Sequence, residues 1–191
     1  MAVAIAITVL AGCGGGGGGS DTSTMPRPAE STDPPAKPPK GWQTYISPVA
    51  GFSVSVPPAW TVEPSGGSSL LRSPDKVVAI SITADRTDEA LNAPLESYAA
   101  DTLKNLSGFT GLTPTGVRPY KAQYPAAIAT ADGTLASSGV KQRLTLVVLR
   151  REGIAAYPVL ASRNAGVNSP FVKQIDAVIH SLRGRPVEGS G

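Results

Sequence analysis

Residues 140–151 place the tightest constraint on what this chain can become. In an extended backbone successive side chains point to opposite faces, so Leu144, Leu146 and Val148 share one face while Thr145, Val147 and Leu149 share the other. A strand that is apolar on both sides needs cover on both sides, which places it in the middle of a sheet held between two layers. Residues 154–162 form its natural antiparallel partner, reached across the polar turn Arg150-Arg151-Glu152-Gly153. Pro158 has no N–H to give to a sheet ladder, and it predicts that this partner is an edge strand or is bulged.

More β runs surround that pair. Gln43–Ser47 reads as an opening strand, and Phe52, Val54 and Val56 alternate on one face of a second, which Pro57-Pro58 stops. Trp60-Thr61-Val62 follows. Ser68–Arg72 and residues 76–83 read as two strands joined by a Ser73-Pro74-Asp75 turn, and residues 115–122 and 126–131 add two more. Two segments change period. Over residues 94–106, Leu95, Tyr98, Ala99, Thr102, Leu103 and Leu106 fall at helical spacing, with Pro94 in the first turn and Gly108 past the end. Near the C-terminus Ser169 caps, Pro170 opens, and Phe171, Ile175, Val178, Ile179 and Leu182 form a stripe that Gly184 ends. The expected class is α+β, with a mostly antiparallel sheet flanked by two helices.

The N-terminus speaks about address rather than fold. Met1 is followed by Ala-Val-Ala-Ile-Ala-Ile-Thr-Val-Leu-Ala-Gly and then Cys13. A membrane-spanning helix needs about 20 apolar residues, and this run of about eleven suits the core of a signal peptide instead. Leu10-Ala11-Gly12-Cys13 resembles the lipobox of bacterial lipoproteins, a resemblance that implies a diacylglyceryl thioether on Cys13 and cleavage just before it. Such an anchor holds because each buried CH₂ contributes about 0.8 kcal/mol and two chains suffice where one does not. A single cysteine makes no internal disulfide and no metal cluster. Met1-Ala2-Val3 lacks the usual basic opening of a signal peptide, so either the start lies upstream of Met1, which is the expectation favoured, or export is less efficient than the lipobox suggests.

Residues 13–40 read as the lipidated cysteine and a disordered Gly/Ser/Pro-rich tether, since they hold too little apolar surface to offset their ordering entropy. As a coil such a tether spans roughly 30 Å. The expected organisation is a signal peptide at 1–12, the tether at 13–40, one globular domain at 41–184, and a disordered tail at 185–191. Charge is uneven along the domain: acids outnumber bases before Arg118, and bases outnumber acids after it. Such a dipole can orient a domain near an anionic membrane. No dense Lys/Arg run with interleaved aromatics accompanies it, so nucleic acid is not expected as a partner.

Tyr45, Gly51-Phe52-Ser53, Pro57 and Trp60, the mid-chain helix, the long strand pair and the closing helix with Phe171, Ile175, Ile179 and Ser181-Leu182 together resemble the PsbP/Mog1-like superfamily. Within it the chain looks most like actinobacterial lipoproteins of the LpqN type. The resemblance covers nearly all of residues 42–183 and implies an α/β/α sandwich with a central antiparallel sheet. It also implies accessory or binding roles, because the superfamily has no shared catalytic residues to carry over.

The residues themselves offer little chemistry. His180, the only histidine, falls on the polar side of the last helix four residues after Asp176, where a local ion pair is expected. Ser73-Pro74-Asp75-Lys76 and Ser138-Gly139-Val140-Lys141 match S-x-x-K, the acylation motif of penicillin-binding proteins. That motif needs its serine at the start of a helix, whereas both copies sit in turns entering strands, and the companion motifs are missing. Asp85, Asp88 and Glu89 read as a solvated turn, without the spacing of a Ca²⁺ loop. Trp60 beside Pro57-Pro58 reads as a core plug, and Trp42 less firmly so. No catalytic residue, metal or cofactor is expected. The function expected is that of a non-enzymatic envelope lipoprotein, held to membrane lipid through Cys13 on the extracytoplasmic face and meeting a protein partner. The alternative is a small-ligand or lipid carrier with a cavity between sheet and helix near Trp60 and Tyr98, where the small residues of strand 126–131 leave room.

Overall fold

The structure, a computed structural model, describes residues 33–185. The signal peptide, Cys13, the tether as far as residue 32 and the tail beyond residue 185 lie outside the described residues.

Seven strands form one antiparallel sheet in the order β3-β4-β5-β9-β8-β7-β6. They are β3 (Thr61–Ser65), β4 (Ser68–Arg72), β5 (Val78–Thr83), β6 (Phe109–Tyr120), β7 (Ala126–Leu135), β8 (Lys141–Arg151) and β9 (Ala155–Asn164). A second, three-stranded sheet has the order β1-β2-β10, with β1 (Gln43–Ser47), β2 (Phe52–Val56) and β10 (Arg183–Gly184). The helices are α1 (Asp88–Asn92), α2 (Leu95–Lys104) and α3 (Ile175–Ser181), the last preceded by a 3-10 turn, Pro170–Gln174.

β8 lies inside the large sheet with both faces covered, as its two apolar faces require. Leu144, Leu146 and Val148 join a core with Tyr98, Ala99 and Leu103 of α2. Val147 and Leu149 join a second core with Phe52 and Val54 of β2 and Val178, Ile179 and Leu182 around α3. The result is an α+β sandwich: α1 and α2 on one face of the sheet, α3 and the small sheet on the other.

β9 corrects the reading of Pro158. It sits between β5 and β8 and keeps one continuous register with β8, Val148 opposite Pro158. The proline shows itself on the other side. Asp85 and Ala156 exchange both backbone bonds, at 2.8 and 2.9 Å. In an antiparallel ladder the next such pair is two residues along, Thr83 with Pro158, and there the donor is missing. The β5–β9 ladder runs from Val78 to Ile82, breaks at this point and resumes as an isolated bridge. A central strand therefore carries proline at the cost of one gap.

Three further differences have local causes. The acidic turn at Asp88 and Glu89 is the first turn of α1, capped by Thr87, whose hydroxyl accepts from the Ala90 amide at 3.3 Å. Carboxylates there complement the positive end of the helix dipole. β10 pairs with Ser53 and Phe52 of β2, so Gly184 serves as an edge-strand residue rather than as a helix stop. A Cβ on Gly184 would lie 2.7 Å from the Tyr157 hydroxyl, which explains the absence of a side chain. Residues 33–39 carry no regular secondary structure, and Asp33 among them lies on the domain: its carboxylate receives the Tyr124 hydroxyl and stands 3.4 Å from Arg151 Nε. Among the described residues no helix is long and apolar enough to cross a membrane.

Candidate functional site

Where α2 settles determines where space remains. β7 turns Ala127, Ala129 and Ala131 toward the helix, and all three are fully or almost fully buried beneath it. Small side chains let the helix come down close to the strand, so the room expected beside residues 126–131 is filled by α2 itself. The open space lies next to it. A cleft of about 240 Å³ runs between the far side of α2 and strands β8, β9 and β5. Leu146, Leu160 and Pro158 form its floor, Tyr98, Asp101 and Thr102 its helical wall, and Asp85 and Glu89 one end.

Tyr98, singled out in the sequence, lies in this wall. Its hydroxyl donates to Asp85 Oδ2 at 2.6 Å. Burial, and then the neighbouring carboxylate, push the Tyr98 phenol well above its ordinary range. Burial opposes ionisation of Asp85, but its bonds from Tyr98, from the Thr87 amide at 2.9 Å and from the Thr87 hydroxyl at 2.8 Å outweigh it. The Asp85 carboxyl is thus held below the usual carboxylate range, with Arg86 adding to the effect. Beside the cleft, the Thr83 hydroxyl oxygen is buried and has no hydrogen-bond partner among the described residues.

Trp60 is elsewhere. It belongs to the core on the opposite face of the sheet, packs edge-on against Phe171 with centroids 6.2 Å apart, and donates through Nε1 to Gln174 at 2.9 Å. The structure does not bring Trp60 and Tyr98 into one cavity. Trp60 serves as the plug that its place after Pro57-Pro58 suggested.

The other candidates are committed to the fold. The Ser73 hydroxyl donates to Asp75 at 2.6 Å and accepts from the Val78 amide at 3.0 Å, in a residue that is 2 % exposed. Such a serine is a turn element rather than a nucleophile. Ser138 lies in the turn between β7 and β8, its amide bonded to the Leu135 carbonyl. His180 forms the expected pair with Asp176 at 3.2 Å, and its two ring nitrogens face the carbonyls of Asp176 at 2.9 Å and Lys121 at 3.0 Å. Neither nitrogen is left to serve a nucleophile. Tyr120 completes this surface group by donating to Asp176. Sequence reasoning missed Thr83 and Asp85 as neighbours of Tyr98, because their meeting depends on the landing place of a helix more than ten residues away.

No family profile and no curated protein matches the chain. Solved structures do. One from Bacteroides thetaiotaomicron is 23% identical with a TM-score of 0.52, over 78% of this chain and 50% of that one. The chain thus spans about half the length of that relative. The Ran-binding protein Mog1p of Saccharomyces cerevisiae is 9% identical with a TM-score of 0.45, over 71% of this chain and 82% of its own. LpqN of Mycobacterium tuberculosis, described as involved in cell envelope biogenesis, is 17% identical with a TM-score of 0.40, over 81% of this chain and 87% of its own. Mog1p and an LpqN protein, the two kinds of protein that the sequence resembles, are thus among the solved structures that this chain is similar to. At 23% identity the likeness to the Bacteroides thetaiotaomicron structure is one of fold alone.

Proposed function

We propose that the chain is a bacterial envelope lipoprotein, moored by lipid on Cys13 to the extracytoplasmic face of the membrane, and that its domain works as a non-enzymatic binding or accessory module. The observation that carries the reading is the use made of the reactive side chains. Ser73, Asp75 and His180 direct their polar atoms into turns, caps and backbone carbonyls, and Asp85 accepts from the Thr87 turn through one oxygen and from the Tyr98 hydroxyl through the other. Catalysis needs a nucleophile and a base aimed at each other across space that a substrate can enter. The lipobox and the tether supply the address.

Intact-mass analysis of membrane-fraction protein tests the anchor. The expected species begins at Cys13 and carries a diacylglyceryl modification; a chain that retains Met1 and an unmodified Cys13 thiol overturns it. Affinity capture from solubilised envelope tests the module, and failure to retain a specific protein partner counts against a protein-binding role.

The cleft beside α2 favours a second reading, in which the domain carries a small ligand. Its apolar floor and few convergent polar groups are the usual make-up of such a site. Native mass spectrometry of the full chain checks it: a stoichiometric adduct that is lost on filling the cleft supports a carrier, and a clean apo mass across envelope extracts removes it.

A further inference from the structure

We propose that the β1–β2 turn, through Ile46, Pro48 and Val49, rests in the surface of the bilayer to which Cys13 moors the chain, so that the domain lies on the membrane in one orientation. The proposal rests on the lipoprotein reading and adds a second contact to the lipid anchor.

Ile46 and Val49 are the two most exposed of the large apolar side chains among the described residues, at 45 % and 62 %. Pro48 between them is exposed as well. The turn that carries them is fixed rather than loose. Its ends are joined by the Gly51 amide, which donates to the Ser47 carbonyl at 2.9 Å, with Gly51 at a φ of 70°. From the domain side, Arg86 donates to the Ala50 carbonyl at 2.9 Å. The Gly51 carbonyl accepts from the Tyr157 hydroxyl at 3.1 Å and from the Arg185 amide at 2.8 Å. Ala50 is thereby drawn into the core, while Val49 is held out in water. Apolar surface presented on a rigid support gains by burial and gives up little freedom when buried.

The occupant follows from where the chain enters the domain. The turn adjoins β10, whose Gly184 pairs with Phe52. The Gly184 amide donates to the Tyr124 hydroxyl, which in turn donates to Asp33. Asp33 stands 20 positions after Cys13. A coil of that length spans roughly 25 Å, so the lipid holds this end of the domain close to the bilayer. The other end of β8, next to Val140, lies about 35 Å away along the strand. Tethering also lowers the demand on the contact. A short flexible linker gives an effective concentration of roughly millimolar, enough to occupy a contact too weak to hold a free domain.

Charge points to the same occupant. Arg86, Arg151 and Arg185 gather around the turn and β10, and Arg183 stands in one cross-strand row with Ser53 and Ile46. The acids at this end are Asp33, which faces Arg151, and Glu152. Arginines around an apolar tip suit a surface of anionic lipid headgroups. A second copy docked turn to turn would bring arginines toward arginines instead.

The test uses the full lipidated chain in vesicles of phosphatidylcholine and phosphatidylglycerol. A polarity-sensitive fluorophore is placed on Val49→Cys, the only free thiol once Cys13 is acylated. Val140→Cys carries the control label; both positions are exposed, and neither change touches the core. The label at 49 is expected to brighten at least about twofold and to be quenched by nitroxide-bearing lipid, and the label at 140 to do neither. Vesicles of phosphatidylcholine alone are expected to give a signal at least about twofold weaker, and equal signals overturn the part given to the arginines. A signal that fades as lipid dilutes the protein assigns the turn to a second copy and overturns the proposal. Equal signals at 49 and 140 overturn the single orientation. A chain that floats with the vesicles while the label at 49 stays unquenched overturns the proposal and leaves the anchor standing. A chain that does not float removes both.

Discussion

Asp75 accepts from the Ser73 hydroxyl, from the Val77 amide at 3.0 Å and from the Ser169 hydroxyl at 2.7 Å. One carboxylate thereby ties the β4–β5 turn to the residue that caps the C-terminal helical segment. Burial opposes its ionisation, yet these bonds hold its pKa below the ordinary value, and Asp85 behaves likewise under Tyr98 and Thr87. A carboxyl whose folded pKa is depressed contributes stability that is present above its unfolded value, about 3.9, and is lost as pH falls through the folded value. Acid unfolding followed by circular dichroism should therefore set in below about pH 4. The Asp75→Asn variant should show a lower urea midpoint at pH 7 and a shallower loss on acidification. Tyr98→Phe removes a hydrogen bond to a charged group and should cost about 1.5–3 kcal/mol in urea unfolding. It should also let the Asp85 carboxyl rise toward its ordinary value, which carbon-detected NMR titration reads directly.

The strands were legible from alternation and turn residues because both are local signals, and the period change at Pro94 marked α2 for the same reason. What local pattern did not carry was set by partners far along the chain. α1 and β10 are too short to show a period. The first half of β6 lacks alternation because it is an edge strand with register shifts between Thr110 and Thr113 and between Pro114 and Gly116. Pro158 by itself signals an edge or bulged strand, and the sheet tolerates it through a single broken rung, which no sequence pattern announces. Among the site residues, Tyr98 was visible as part of a helical stripe. Its partnership with Asp85 was not, since it follows from α2 seating on the alanines of β7. That seating is open to test. Ala129→Leu puts three extra carbons beneath α2 and should destabilise by about 1–3 kcal/mol in urea unfolding, whereas a strand with free space beside it would accept leucine without loss.

For the molecule as a whole, Asp33 decides how the proposed tether meets the domain. Its carboxylate lies between Tyr124 and Arg151, close to Gly184, whose amide donates to the Tyr124 hydroxyl at 3.1 Å. Burial, and then Asp33, leave the Tyr124 phenol pushed up to about 12. A tyrosine raised in the fold contributes stability below its unfolded value of about 10 and loses that contribution as pH climbs through the folded value. Asp33→Ala should therefore lower the tyrosinate midpoint followed near 295 nm, with the rest of the domain unchanged. The outermost strands of the large sheet bear on how any protein partner docks. β3 carries Pro64, and β6 carries Pro114, Pro119 and two shifts of register. A visiting strand needs an unbroken row of amides and carbonyls to zip onto, and neither border offers one. Along the large sheet, recognition of another protein must then be built from side chains on its faces and loops, so single surface substitutions there can abolish it in a way that backbone-mediated strand addition would resist.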